Sequence, residues 1–132
     1  MPVDTLAIDG TTPFHLAVWQ NHRPMCELLL VLGANAHAVN HHGCNAAMWA
    51  AQSPSDADTG GSTVVIAMLV YLKELNVDLE LINVNGQGCL HKAAQRCRRH
   101  VCEWLLDVAQ LQDPAHFLPN KKEQNIPSAL VL

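Results

Sequence analysis

Gly10-Thr11-Thr12-Pro13-Phe14-His15-Leu16-Ala17 is followed 33 positions later (43 − 10) by Gly43-Cys44-Asn45-Ala46-Ala47-Met48-Trp49-Ala50. A third copy, Gly86-Gln87-Gly88-Cys89-Leu90-His91-Lys92-Ala93-Ala94, opens further along, and each copy leads into a second apolar stretch. A period near 33 built on a T-P-L-H-x-A-like core marks a stack of helix-turn-helix units. Such arrays offer a surface for binding more often than a pocket for chemistry.

The first copy reads as two helices and a link. Thr12 caps the first helix, and Pro13 suits its first turn, where a missing N–H costs little. Phe14, Ala17 and Val18 make an apolar stripe. Asn21-His22-Arg23-Pro24 reads as the break, and Met25, Cys26, Leu28, Leu29 and Leu32 carry helical spacing in a second helix. Gly33 stops it, and Ala34 to His42 links to the next unit.

The second copy keeps the frame and loses the motif. Asn45 remains a cap, but Ala46-Ala47-Met48 stands where the Pro-apolar-His step should be. Its second helix, expected over about 63–75, arrives late: Met25 and Met68 are 43 apart, ten more than the repeat. Ten residues are therefore inserted, about Pro54 to Thr63, in a polar stretch rich in Gly and Ser. Asn76-Val77-Asp78 takes the place of a Gly-containing stop. In the third copy Leu90, Ala93 and Ala94 supply the first helix, Arg96-Cys97-Arg98-Arg99 the turn, and Val101, Cys102, Trp104 and Leu105 the second helix.

The order of capping Thr, Pro, apolar residue, His and Ala, followed by Leu-Leu-Leu and Gly33-Ala34-Asn35, resembles an ankyrin repeat. The resemblance is specific in the first copy, moderate in the third and weakest in the second, and spans about residues 7–111. It implies an all-α fold: an ankyrin-repeat solenoid of stacked helix-turn-helix units with β-turn fingers. The array would occupy residues 1–111, with repeats at about 7–39, 40–82 (insert near 54–63) and 83–111. Residues 112–132 would form a tail in which Gln124 to Leu130 resembles the opening of a further repeat. The tail would either begin such a repeat in a longer array or fold back as a cap; we take the first.

Composition bounds the rest. The 132 residues, 49% apolar and 15% charged, suit at most one folded domain. Leu28 to Leu32, the longest clean apolar run, is far short of the about 18–20 residues of a bilayer span. Met1-Pro2-Val3-Asp4 lacks the basic-then-apolar signature of a secretory signal, so a cytoplasmic or nuclear site is expected. A net charge of −4 lacks the basic footprint that nucleic acid requires. Five cysteines, an odd number without compact spacing, read as reduced thiols.

No catalytic constellation emerges, and no cofactor is expected. Gly86-Gln87-Gly88 lacks the remainder of a phosphate loop. Asp56 and Asp58 lie on a flexible stretch ill suited to acid–base work. Cys89, His91, Cys97, His100 and Cys102 have intervals too irregular for a structural zinc site, and His41, His42 and Cys44 suggest at most one adventitious contact. Lys92, Arg96, Arg98, Arg99 and His100 form the basic patch, read first as a solvated face and alternatively as a contact for a carboxylate or phosphate.

The resemblance gives the remaining residues their expected roles. Thr12, Pro13, His15, Gly33 and His91 are structural, the two histidines bonding backbone groups between repeats. Partners would meet the finger positions Ile8 and Asp9, His41 and His42, Val84 and Asn85; the positions after each glycine, Thr11, Cys44 and Gln87; and the ends of the first helices. Those ends are Trp19 and Gln20, Gln52 and Ser53, and Gln95 and Arg96. Trp19 is the leading contact, because Trp and Arg concentrate binding energy; Trp49 and Trp104 fall at packing positions. The expected function is a non-catalytic scaffold or adaptor that binds another protein, without nucleic acid, membrane or metal. The alternatives are a regulatory ankyrin segment of a larger enzyme or transporter, and a small Cys/His metal-dependent protein.

Overall fold

The computed structural model describes residue 3, residues 6–54 and residues 61–107. Within them the regular elements are six α-helices: α1 (Pro13–Trp19), α2 (Arg23–Val31), α3 (Ala46–Ala51), α4 (Gly61–Glu74), α5 (Cys89–Gln95) and α6 (Arg99–Asp107). Neither the expectations for residues 112–132 nor most of the inserted stretch, residues 55–60, fall among the described residues.

Each pair forms for local reasons. Thr12 is extended at φ −97° and ψ 163°, so its hydroxyl accepts the His15 N–H and starts α1, with Pro13 next in line. Helix α2 starts at Arg23, two residues before Met25, because Pro24 fits the first turn rather than breaking it. The His22 ring caps it, Nδ1 accepting the Met25 N–H at 3.1 Å. Asn45 caps α3 in the same manner, accepting from Met48 at 3.3 Å. Helix α4 begins at Gly61, so the last three residues of the expected insert belong to the helix. Arg99 likewise opens α6 instead of closing the turn before it.

The stops share one geometry. At Gly33 the Ala34 N–H reaches the Leu29 carbonyl and the Gly33 N–H that of Leu30, a paired closure that needs a left-handed residue. Asn21 (φ 57°), Asn76 (φ 65°) and Cys97 (φ 56°) adopt that conformation without being glycine. Asparagine tolerates it; cysteine at this position is held by the surrounding bonds, Arg98 N–H to Ala93 and Cys97 N–H to Ala94.

Packing places α3 at the centre: it touches α1, α4 and α5, while α4 meets α6. Its composition explains this position. Ala46, Ala47, Ala50 and Ala51 are fully buried, and small side chains let neighbouring helices approach closely. Phe14, Val18, Cys26, Val65, Leu69, Leu72, Val101 and Leu105 fill the core on either side. The first and second repeats are also joined on the outer side, where the Arg23 guanidinium lies 4.2 Å from the centre of the Tyr71 ring. No helix of the described residues is long and apolar enough to cross a membrane.

Candidate functional site

Three tight turns project from the helix stack, and a repeated set of bonds builds each. The Ala7, Asn40 and Asn83 N–H groups reach the carbonyls of Thr11, Cys44 and Gln87, and the Gly10, Gly43 and Gly86 N–H groups reach back to Ala7, Asn40 and Asn83. Each glycine is left-handed, at φ 84°, 80° and 76°. In the second and third turns a buried asparagine fastens the interior. Asn40 Oδ1 accepts from His42 and Cys44 at 2.9 and 3.0 Å; Asn83 Oδ1 accepts from Asn85 and Gln87 at 2.9 and 3.0 Å. The first turn has Ala7 instead, and the Asp9 carboxylate accepts the Thr11 N–H at 3.0 Å. Thr11, by hydroxyl and then by amide, holds the Asp9 carboxyl below its usual range.

The turns are tied side to side. The His41 N–H donates to the Asp9 carbonyl at 2.7 Å and the Val84 N–H to the His42 carbonyl at 3.0 Å. Asn40 Nδ2 reaches Thr11 Oγ1, and Asn83 Nδ2 reaches Cys44 Sγ, each at 3.5 Å. Ile8, His41, His42, Val84 and Asn85 are exposed in one row, Ile8 completely and Val84 by 70%. Asp9 and Gln87 are half-buried, and Thr11 and Cys44 are buried. The residues after the glycines are therefore held inside the turns, since their backbones close them. Asn40 and Asn83 were not singled out from sequence; the signal was the matched Asn-x-x-Gly spacing of Asn40–Gly43 and Asn83–Gly86.

Beside the turns lies the face of the first helices. His15 is fully buried. Its Nδ1 accepts the Thr12 N–H at 3.0 Å, so the proton sits on Nε2, which donates to the Ala38 carbonyl at 2.9 Å. The imidazole stacks on Trp49 at 6.1 Å. His91 repeats the first bond, accepting from Gly88 at 3.0 Å. The second repeat has Met48 in this place and joins the next link differently: Asn45 Nδ2 donates to the Asp78 carbonyl at 2.7 Å.

Trp19 meets Trp49 edge to face, 6.4 Å between centres. Both rings are half-buried, so Trp19 is less open than its expected role implies: its outer partner is an aromatic ring of the next repeat. The Trp49 Nε1–H is buried and meets no hydrogen-bond acceptor among the described residues. Gln20, Gln95 and Arg96 are exposed and Gln52 is half-buried. Ser53 is buried, because its hydroxyl donates to the Trp19 carbonyl at 2.7 Å.

The basic patch divides. Arg98 is not a solvated residue: it is buried and donates to the Ala51 carbonyl at 3.2 Å, and burial followed by the nearby Arg96 lowers its pKa. Arg96 Nε donates to Gln52 O at 3.2 Å. Both thereby complement the carbonyl end of α3. Arg99 is paired with Glu103 at 3.1 Å, one turn along α6.

The cysteine and histidine sets do not converge; among the described residues no three such side chains are grouped to hold a metal. The Cys89 thiol donates to the Ala47 carbonyl at 3.4 Å, and burial pushes it up to about 12. Burial likewise pushes Cys26 up to about 11. His100 lies 3.5 Å from Glu103 on the exposed side of α6.

The family model for the ankyrin repeat matches residues 9–41. No curated protein matches the chain. The match covers the first helix pair and the turn that ties it to the second, and the same construction recurs in the two pairs that follow. Over residues 9–41 the chain carries an ankyrin repeat.

Proposed function

We propose that this chain is a non-catalytic protein-interaction module, a scaffold or adaptor that binds a partner protein across its turn row and the face of its first helices. Ankyrin repeats in general mediate protein–protein interaction. The observation that carries the reading to these residues is the Trp19–Trp49 pair, half-exposed beside a row of exposed turn residues. Aromatic rings with one side open and rigid support beneath supply contact area at low entropic cost. Gln20, Gln52, Gln95 and Arg96 flank the pair and give the polar rim; His41, His42, Val84, Asn85 and Gln87 line the turns. Its place of work is the reducing cytoplasm or nucleus, a reading supported by five free cysteines.

The test is affinity capture from native lysate, comparing the chain with a Trp19→Ala, Arg96→Ala double variant of matched thermal stability. A protein retained by the first and lost by the second supports the surface. Equal retention refutes it.

One observation favours a second reading, a regulatory segment that works against further repeats or a larger assembly. Leu16, Leu28 and Leu32 expose 47%, 49% and 60% of their surface on the outer side of the first repeat. Their counterparts in the second repeat include Trp49 and Tyr71, which pack against the first. An outer face of a terminal repeat is ordinarily polar.

A further inference from the structure

Charge is sorted between the two layers of helices. Helices α1, α3 and α5 contain no acidic residue. Of the seven acids among the described residues, only Asp9 lies in the row of projecting turns; Glu27, Glu74, Glu103 and Asp107 lie on α2, α4 and α6, and Asp78 and Glu80 in the link after α4.

Two cations of the second helices are answered by a carboxylate, while Lys73 of α4 makes no ion pair among the described residues. On the second helices Arg23 meets Glu27 at 3.3 Å and Arg99 meets Glu103 at 3.1 Å. On the first-helix side Lys92 Nζ contacts only the Gln87 amide oxygen, at 3.2 Å, and Arg96 Nε a backbone carbonyl. Neither forms an ion pair within the described residues. Both stand at the end of a gradient. Leu16, Trp49 and Lys92 occupy equivalent positions in successive repeats, as do Gln20, Ser53 and Arg96. The face runs from apolar and aromatic in the first two repeats to cationic in the third.

We propose that this face receives a partner segment carrying a bulky apolar side chain and, further along, a carboxylate. The proposal rests on the interaction reading above and names its chemistry. The apolar group settles against Leu16, Trp19 and Trp49. The carboxylate meets Lys92 and Arg96, whose partners among the described residues are neutral. Neighbouring helices stand about 8–10 Å apart, and an extended chain advances about 3.3 Å per residue. The acidic residue therefore follows or precedes the anchor by about three positions. Charge complementarity excludes a basic segment and sets the direction in which the segment lies along the array.

The experiment uses a displayed library of random twelve-residue peptides, selected on the intact chain at low salt. Binding of the best peptides is then measured to the wild type, Trp19→Ala, Lys92→Glu and Lys92→Gln, each checked for an unchanged melting midpoint. The expected result is enrichment of Asp or Glu about three positions from an aromatic or aliphatic residue. Affinity falls about tenfold or more for Lys92→Glu, less for Lys92→Gln, and weakens with added salt. Enrichment of peptides without acidic residues, no enrichment, or full binding by Lys92→Glu overturns the proposal. Loss on Trp19→Ala with full binding by Lys92→Glu leaves the interaction surface standing and removes the charge assignment. Full binding by both variants removes both.

Discussion

Replacing His15 with alanine tests how the first two repeats are joined. Three losses can be read from the structure. The Thr12 N–H, buried under the capping turn, loses its acceptor at 3.0 Å. The Ala38 carbonyl in the link to the second repeat loses its donor at 2.9 Å. Each group left unpaired costs about 1–3 kcal/mol where water cannot reach it. The Trp49 ring loses a stacked neighbour at 6.1 Å, worth about 0.5–1.5 kcal/mol. The expected total is about 2.5–7.5 kcal/mol, a large fraction of the roughly 5–15 kcal/mol typical of a folded domain. Urea denaturation followed by tryptophan fluorescence measures it directly, since the Trp19–Trp49 pair reports on the same junction. His15→Gln, which offers one acceptor and one donor, should recover part of the loss. His100→Ala, on an exposed helix face, should stay within about 0.5 kcal/mol. If the first repeat separates on its own, the transition broadens into two steps, as expected when a stack loses coupling between neighbours. A His15→Ala midpoint indistinguishable from that of His100→Ala would refute the reasoning.

Two left-handed glycines should behave differently. A Cβ at Gly43 would lie 3.1 Å from the Asn83 Cα and Val84 N of the next turn, whereas one at Gly33 meets nothing within 4 Å; Gly33→Ala should cost about 1–2 kcal/mol of backbone strain, and Gly43→Ala clearly more in the same chemical denaturation. Asn83→Ala removes the acceptor of the Asn85 and Gln87 N–H groups and should cost about 2–3 kcal/mol, while exposed Asn85→Ala leaves the midpoint unchanged; equal effects would contradict the fastening role. Thiol titration of the native protein should find one fast-reacting group, the exposed Cys97, and five in denaturant, because Cys26, Cys44, Cys89 and Cys102 are buried and burial raises Cys26, Cys89 and Cys102 away from the reactive thiolate; several fast groups in the native state would show that the core is open.

The repeat, its helix pairs and most of its caps were legible in the sequence because their causes are local. A capping Thr12, a Pro13 behind it and a Gly33 stop act on their own few residues, and the 33-residue spacing repeats those causes. The start of α2 was hidden for an equally local reason: proline at a helix start looks like proline in a break until the chain direction on both sides is known, so Pro24 concealed the first turn of α2. What the sequence could not disclose was which polar groups meet across repeats. Arg98 reads like Arg96 and Arg99, yet it is buried against the carbonyl end of α3 while Arg99 lies in solvent beside Glu103. Asn45 takes over the cross-repeat bond that Met48 cannot make, by reaching Asp78, 33 residues away in the chain. Half-buried Trp19 meets Trp49 edge to face, one repeat further on. Period and capping chemistry alone determined that helix pairs form and stack. Which charge is sheltered, which indole is covered and which cation keeps an empty side are matters of distance between residues remote in sequence, and only the packed array sets those distances.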